Sequence, residues 1–473
     1  METTEYDVIV LGGGAVGENV ADRALQGGLT AVIVESDLVG GECSYWACMP
    51  SKALLRSAQV LRAARQVPGA AQAVTGELDV DAVLARRNAF ASNWSDAGQV
   101  RWLNHARISL VRGHGRITGP KEVTVTTANG TALLTARHAV VVATGSDALV
   151  PGIEGLHEAR GWTSREATSA KSVPGSLAII GGGVVACEMA TAYAAFGTEV
   201  TVISRSGLLE RMEPFAGDMV AYALREQGAT VLLDTETRRV TRTEAKVVVE
   251  LGDGSTVTAE EVLVATGRTP RTGDIGLDAI GLKPGSWLET DDTLLVRGFD
   301  WLYAVGDVTN RALLTHQGKY QARAAGDVIA ARATGASVAD TPWGAHVATA
   351  DHAVVPQVTF TEPEVASVGL TAAAASAAGY DIRVVDYEIG YVAGASVRAD
   401  GYKGTARMVV DEKRKVILGI TFVGPDVSEL LQAATVAIVA EVPLDRLWHA
   451  VPAYPTVNEI WLRLLETYGR PVA

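Results

Sequence analysis

Tyr6-Asp7-Val8-Ile9-Val10-Leu11-Gly12-Gly13-Gly14-Ala15-Val16-Gly17 is the stretch that decides the fold. Its first half, Tyr6 to Leu11, is a short apolar run of the kind that forms a strand buried on both faces. Glycines follow at positions 12, 13, 14 and 17, and a helical pattern continues to about Gly27. Thr30 to Val34 reads as a second buried strand, ending at Glu35. A strand, a glycine turn, a helix and a strand closed by an acid make a dinucleotide-binding βαβ unit. In it Gly12 makes the turn and Gly14 lets backbone approach a pyrophosphate. Gly17 lets the helix pack on the strand, and Glu35 meets a ribose hydroxyl pair.

The pattern returns further along the chain. Leu177 to Ile180 reads as a strand, Gly181-Gly182-Gly183-Val184-Val185-Ala186 as the loop, and a helix runs to about Phe196. Glu199 to Ile203 is the next strand. One glycine cluster is often an ordinary turn. Two, each inside a strand–loop–helix–strand unit, point to two dinucleotides on one chain. Ala139 to Gly145 and Val262 to Gly267 are near copies of each other, followed by Pro151 and by Arg268-Thr269-Pro270. They read as crossings between domains. Beyond about residue 346 the texture changes: strand patterns (PQVTF, KVILGITFVG) surround a helical stretch (SELLQAATVAIVAEV). That reads as a separate α+β domain.

Composition sets the outer limits. A chain of 473 residues exceeds one ordinary core and suggests about three domains. Hydrophobic residues at 48% and charged residues at 20% give a globular balance. A net charge of −13 argues against broad binding to nucleic acid or anionic membrane. The apolar stretches are too short or too interrupted to span a bilayer, and the N-terminus is polar with no secretory pattern. The expectation is a cytoplasmic protein with neither nucleic-acid nor membrane partner, and no metal site.

The three cysteines, Cys43, Cys48 and Cys187, are too few for a disulfide scaffold. Two of them lie in Gly40-Gly41-Glu42-Cys43-Ser44-Tyr45-Trp46-Ala47-Cys48-Met49-Pro50-Ser51-Lys52. On a straight α-helix, residues five apart have Cα atoms separated by roughly 8.7 Å. A disulfide needs about 4.4–6.8 Å. If the pair bonds, Cys43 sits on a distorted or non-helical turn leading into the helix of Cys48, and Gly40, Gly41 and Pro50 suit such a turn. A helix N-terminus would also favour the reactive thiolate. Spacing alone favours two buried, inert cysteines. Placement just after the first dinucleotide unit favours a redox pair.

Together these residues resemble the class I pyridine nucleotide-disulfide oxidoreductases, a family that includes dihydrolipoyl dehydrogenase, glutathione reductase and mercuric reductase. The resemblance covers nearly the whole chain. It adds ATG at 143–145, GGGVVACE at 181–188, ATGRTP at 265–270, YAVGDVTN at 303–310 and VTFTEPEVASVGLT at 358–371 to the glycine and cysteine motifs. It implies an α/β fold with two Rossmann-like domains and a C-terminal α+β dimerisation domain. The FAD-binding domain would comprise residues 1–151 and 271–346, the NAD(P)H domain 152–270, and the interface domain 347–473 of a homodimer. Gly12, Gly14, Gly17, Glu35, Gly145 and Asp307 would hold FAD. Lys52 and Glu188 would pair near the flavin N5. Cys48 would face the flavin, and Cys43 would meet the substrate. Gly181, Gly183 and Gly267 would serve the second nucleotide. The strand there ends in Ile203-Ser204-Arg205, where NAD-using relatives usually carry Glu. Ser204, Arg205 and Arg211 therefore point to NADPH, with NADH a possible alternative.

The chain departs from the family at its C-terminal end. A His followed five residues later by Glu is expected there, yet the sequence has Tyr454 and Glu459. Reference pKa values of about 6.5 for His and 10 for Tyr differ by about 3.5 units, roughly 4.8 kcal/mol. General acid–base catalysis supplies about 10²–10⁴-fold, so an untuned Tyr forfeits most of it. His449 is the nearest substitute, and a surface role suits it better. Mercuric reductases also carry Tyr here, but their C-terminal cysteine pair is missing. Tyr45 and Trp46, between the cysteines, would either wall a pocket for a flat acceptor or pack at a contact. The expected activity is transfer of electrons from NADPH through FAD and Cys43–Cys48 to a small disulfide or similar acceptor. The alternatives are a quinone or metal-ion reductase without His catalysis, and a non-catalytic FAD-binding redox sensor or assembly subunit.

Overall fold

The computed structural model describes residues 3–470. The chain forms two compact units, each built from three separated segments. The first comprises Met1–Pro50, Asn88–Leu149 and Arg268–His352; the second comprises Ser51–Arg87, Val150–Gly267 and Ala353–Ala473.

The centre of the first unit is a parallel sheet. Thr3–Leu11 lies between Ala31–Glu35 and Gly130–Val142; Ser109–Arg112 extends one side and Leu302–Ala304 the other. The apolar run of the opening motif explains the depth of this placement. Val8 and Val10 enter one core, with Ile33, Val141 and the helices Ala15–Gln26 and Thr315–Thr334. Ile9 and Leu11 enter a second core on the opposite face, with Val32, Val140 and Leu302. Alternate residues feeding two cores is the mark of a strand covered on both sides. Gly130–Val142 serves two structures at once. Its first half pairs antiparallel with Glu122–Thr127, and its second half pairs parallel with Leu302–Ala304.

The two helices on the first core approach closely, because glycines face side chains across the contact. A Cβ on Gly27 would fall 2.3 Å from that of Ala330, and one on Gly326 would fall 2.5 Å from that of Arg23. Arg23 and Asp327 then close the contact with a forked ion pair.

The second unit repeats the parallel arrangement in the order Thr230–Leu232, Glu199–Ile203, Ser176–Ile180, Glu261–Val264. A three-stranded antiparallel sheet, Thr237–Arg242, Val247–Leu251 and Thr256–Ala259, packs into one of its cores. The same unit holds a five-stranded antiparallel sheet with Val416–Gly424 at its centre, buried along its whole length. The helices Leu431–Val439 and Glu459–Tyr468 pack on that sheet. The α/β class, the two Rossmann-like sheets and the C-terminal α+β layer all stand as expected. No helix among the described residues is long and apolar enough to cross a membrane.

Candidate active site

The glycine loop of the first unit shows why it carries no side chains. Gly12 has φ +103°, and a Cβ there would lie 2.4 Å from the Ala143 carbonyl oxygen. A Cβ on Gly17 would lie 2.0 Å from the Gly12 oxygen. Gly14 faces open space on its outer side, with nothing nearer than 3.9 Å to its Cβ position. It begins the helix Ala15–Gln26 without a side-chain cap, so the first N–H groups of that helix are left for a ligand. Glu35 sits where its strand ends. Its carboxylate accepts from Gly13 N at 2.6 Å and Asp37 N at 2.7 Å. This donor set fits the pyrophosphate and ribose of FAD.

The cysteine segment is bound to that loop. Gly40 N donates to Gly13 O at 2.8 Å, and Gly14 and Gly40 form a parallel bridge. Gly40 has φ +111°, and a Cβ on Gly41 would lie 2.8 Å from the Gly14 Cα. The chain then makes the short helix Gly41–Tyr45, breaks at Trp46, and begins the helix Cys48–Arg65. Cys43 and Cys48 thus lie on two successive helical segments rather than one. That break supplies the distortion which helix geometry demands of a bonding pair. Both cysteines are free thiols and hydrogen-bond to each other. That bond, burial and the neighbouring Cys48 charge push the Cys43 thiol up; Thr315 and Lys319 pull it down. Thr315 Oγ1 lies 3.4 Å from Cys48 Sγ.

Tyr45 is 1% exposed and Trp46 9%, and the Tyr45 hydroxyl donates to Val39 O at 3.0 Å. Both rings are interior packing, and no acceptor-facing wall is made of them. Asp307 begins to look like a shaped site once its neighbours are added. Ser146 donates to it, and Arg268 stands 3.8 Å from the same oxygen while also holding Ser146. Gly145, with φ +76°, accepts from Arg271 N at 3.0 Å through its carbonyl.

The second unit holds the remaining expected groups. Lys52 and Glu188 form an ion pair at 2.8 Å, with Glu188 only 3% exposed. Glu188 also accepts from Phe360 N at 3.0 Å, and Lys52 lies 4.8 Å from the Phe360 ring centroid. Gly181 (φ +130°) and Gly183 repeat the first loop: a Cβ on Gly181 would lie 2.2 Å from Ala265 O, while Gly183 faces open space. Gly267 follows with φ +142°. Ser204 occupies the place that Glu35 holds in the first unit, directly beneath the middle glycine. It is 4% exposed, and its hydroxyl donates to Gly207 O at 3.3 Å. Its side chain is turned inward, whereas Arg205 and Arg211 are exposed. Cys187 is fully buried, and burial first, then Glu188, pushes its thiol up. It is a packing residue.

Tyr454 is 78% exposed and Glu459 7% exposed. Glu459 accepts from Gly394 N at 3.0 Å. Among the described residues no hydrogen bond joins Tyr454 to Glu459. His449 is exposed as well. Among the described residues no group of three or more His, Cys, Asp or Glu could hold a metal ion. Sequence reasoning missed Thr315, Ser146, Phe360 and Lys319. Arg268 and Phe360 lay inside quoted motifs without a role; Thr315, Ser146 and Lys319 carry no local signal.

Comparison with known proteins agrees with this layout. The pyridine nucleotide-disulphide oxidoreductase family matches residues 6–329, and the dimerisation domain of the same family matches 355–464. Dihydrolipoyl dehydrogenase of Chlorobaculum tepidum is 32% identical, over 96% of this chain and 95% of its own. Dihydrolipoyl dehydrogenase of Rhizobium etli is 30% identical over 98% of both chains. Mercuric reductase of Acidithiobacillus ferrooxidans is 30% identical over 99% of this chain and 83% of its own. The Cu(II) complex of the HOCl-induced flavoprotein disulfide reductase RclA from Escherichia coli shares the fold. It has a TM-score of 0.84 at 24% identity, covering 98% of this chain and 99% of that one. The chain belongs to the pyridine nucleotide-disulphide oxidoreductase family and is a flavin-dependent oxidoreductase of its class I.

Proposed function

We propose that the enzyme passes electrons from NADPH to a small disulfide through FAD and the Cys43–Cys48 pair. The observation that carries this reading is the pair itself: two hydrogen-bonded thiols on successive helical segments, tied to the FAD glycine loop by Gly40 and Gly41. Gly12, Gly14, Gly17 and Glu35 bind the adenosine diphosphate part of FAD, and Asp307, fixed by Ser146, binds its ribityl–pyrophosphate region. Bound FAD supplies a carrier that takes a hydride from the nicotinamide and returns the electron pair to a disulfide. Cys48 is the thiol beside the flavin. Cys43 then attacks the acceptor as a thiolate. It displaces one thiolate and forms a mixed disulfide. Cys48 attacks Cys43 to release the second thiolate and restore the Cys43–Cys48 bond. The two protons of the dithiol leave with the two product thiols. The Lys52–Glu188 pair keeps a cation in place for the flavin N5 region. Gly181, Gly183 and Gly267 hold NADPH, with Arg205 and Arg211 donating to its 2′-phosphate. The inward Ser204 contributes by leaving out the acid that would repel it.

The division into an FAD domain (1–151, 271–346), an NADPH domain (152–270) and a dimerisation domain (347–473) belongs to the same reading. So do a homodimer, in which the partner's Tyr454 and the partner's Glu459 line the acceptor pocket, and a cytoplasmic location. The free exposure of Tyr454 supports a second reading, in which a quinone or metal ion takes electrons without acid–base help.

Anaerobic titration with NADPH tests the proposal. The flavin should bleach at a catalytic rate, and a long-wavelength band should mark the Cys48 thiolate beside it. Cys43→Ser should abolish disulfide turnover. Equal disulfide turnover in that variant would sink the dithiol route, while quinone turnover that survives the substitution would support the second reading.

A further inference from the structure

In the second unit, the loop between the strand Glu199–Ile203 and the helix Pro214–Glu226 carries Arg205 and Arg211 on its exposed side. Leu208, Leu209 and Met212 turn the other way, into the core of the parallel sheet. Leu209 N donates to Gly182 O at 2.9 Å, which ties the loop to the second glycine fingerprint. The helix that follows comes so close that a Cβ on Gly217 would lie 2.0 Å from Leu208 O. The far end of the loop is held by charge. Glu213 is the residue before that helix, and its side chain does not cap it. Glu213 is 3% exposed, and its two oxygens reach across to the C-terminal α+β layer. Oε1 accepts from Ala372 N at 2.7 Å, and Oε2 accepts from Arg407 Nη1 at 2.9 Å. Arg407 belongs to the strand Thr405–Asp411. Its Nε and Nη2 donate to Asp386 on the neighbouring strand Ile382–Glu388, at 2.8 and 2.7 Å. The same guanidinium lies 5.2 Å from the ring centroid of Phe215. One side chain of the sheet thus grips positions 213 and 215, immediately beyond Arg211.

We propose that Glu213 and Arg407 are positioning residues for nucleotide selection: through them the C-terminal sheet fixes the loop that presents Arg205 and Arg211 to the 2′-phosphate of NADPH. The proposal rests on the reading that those two arginines receive that phosphate. Simple packing of one layer on another does not call for such an anchor. A buried carboxylate is costly to strip of water, and apolar side chains of similar volume would join the layers at less cost. What an ion pair adds is direction. A guanidinium forked onto Asp386 and bonded to Glu213 cannot swing, so the end of the loop is fixed in angle as well as distance. Bonds from arginine to phosphate depend on that angle, because the planar donors must meet the oxygens in line. A loop already ordered also spares the nucleotide the cost of ordering it. Removing Arg407 would leave the Glu213 carboxylate uncompensated beside the phosphate-binding loop, where it competes with the phosphate for the arginines. NADH has no 2′-phosphate and makes none of these demands. The anchor therefore discriminates between the two nucleotides rather than supporting both alike.

The test is anaerobic stopped-flow reduction of the flavin in the holoenzyme, with NADPH and NADH each varied in concentration. Arg407→Ala should raise the half-saturating concentration of NADPH by about three- to tenfold, and leave its limiting rate and both NADH parameters within about twofold. Arg407→Lys keeps a cation beside Glu213 without the fork to Asp386, and should recover part of the loss. Equal weakening of both nucleotides, or no change in either with full FAD content, would overturn the proposal. If Arg407→Ala does not fold, Asp386→Asn on the exposed side of the fork decides the matter. It should weaken NADPH by about two- to threefold and spare NADH, and an even effect on the two would again overturn the anchor. Failure of the wider reading shows in the wild type itself, as equal half-saturation by NADPH and NADH, and takes the anchor with it. Failure of the anchor alone leaves the wild-type preference for NADPH in place.

Discussion

One side chain carries much of the proposed preference of the second unit for NADPH. Ser204 stands where an acid would, tucked under Gly182, and leaves the outer surface to Arg205 and Arg211. Replacing both arginines by Glu should cut kcat/KM for NADPH by about 10²-fold or more with little change for NADH, as steady-state kinetics with the two cofactors will show. Another carboxyl reports on the fold. Glu362 is raised to about 7 by burial, against the pull of Arg62, 2.7 Å away, and with a push from Glu364. In the unfolded chain it titrates near 4.5. The folded chain therefore holds the proton more tightly. Its contribution to stability is complete below about pH 4.5 and is lost as pH rises through 7. The loss amounts to at most about 3.4 kcal/mol. Glu362→Gln should remove it, and urea midpoints measured at pH 5 and pH 8 should then lie closer together. At this scale the sequence was legible wherever a residue acts through its neighbours in the chain. Gly12, Gly17, Gly40 and Glu35 could be read because turn geometry and strand ends demand them. Lys52 and Glu188, 136 positions apart, could be joined only through a family resemblance.

Among the elements, the helix pair Ala15–Gln26 and Thr315–Thr334 shows the tightest tolerance. Gly27→Ala would set a methyl 2.3 Å from Ala330 Cβ. Separating the helices should cost about 1–3 kcal/mol and lower FAD retention, as thermal melts of apo- and holoenzyme will show. The break between Gly41–Tyr45 and Cys48–Arg65 is the counterpart at the redox pair. Helix geometry alone required an interruption, because five residues of regular helix hold two Cα atoms too far apart. What geometry did not reveal was its form, a short helix ending at Trp46 rather than an irregular turn. The reason lies outside the segment: Tyr45 is anchored to Val39 and Gly40 to Gly13. The long strand Gly130–Val142 was foreseen only in its second half. The first half, Gly130 to Ala136, is mixed in character and gains its strand conformation from Glu122–Thr127, antiparallel on one side, and from Thr3–Tyr6, parallel on the other.

At the scale of the whole molecule, the dimerisation segment leaves Tyr391, Val397, Val451 and Tyr454 each at least 74% exposed. Surface of that kind fits a subunit contact. Val451→Asp should shift the enzyme toward monomer in analytical ultracentrifugation and depress turnover while leaving reduction of the flavin by NADPH intact. The three-layered order of α/β units followed by an α+β layer was legible because each layer has its own apolar period. The grouping of distant segments was not, since no local pattern marks where Asn88 or Arg268 rejoins earlier chain. That grouping matters on the ribosome. The glycine fingerprint is among the first residues made, yet the strand Leu302–Ala304 and the helix Thr315–Thr334 that complete its unit come almost three hundred residues later. At about 5–20 residues per second, the nascent fingerprint waits roughly 15–60 s before its core can close. Through that interval Val8, Val10 and Ile33 lack the cover that Leu302–Ala304 and Thr315–Thr334 later bring, so slower translation lengthens the exposure and fast synthesis or chaperone binding shortens it.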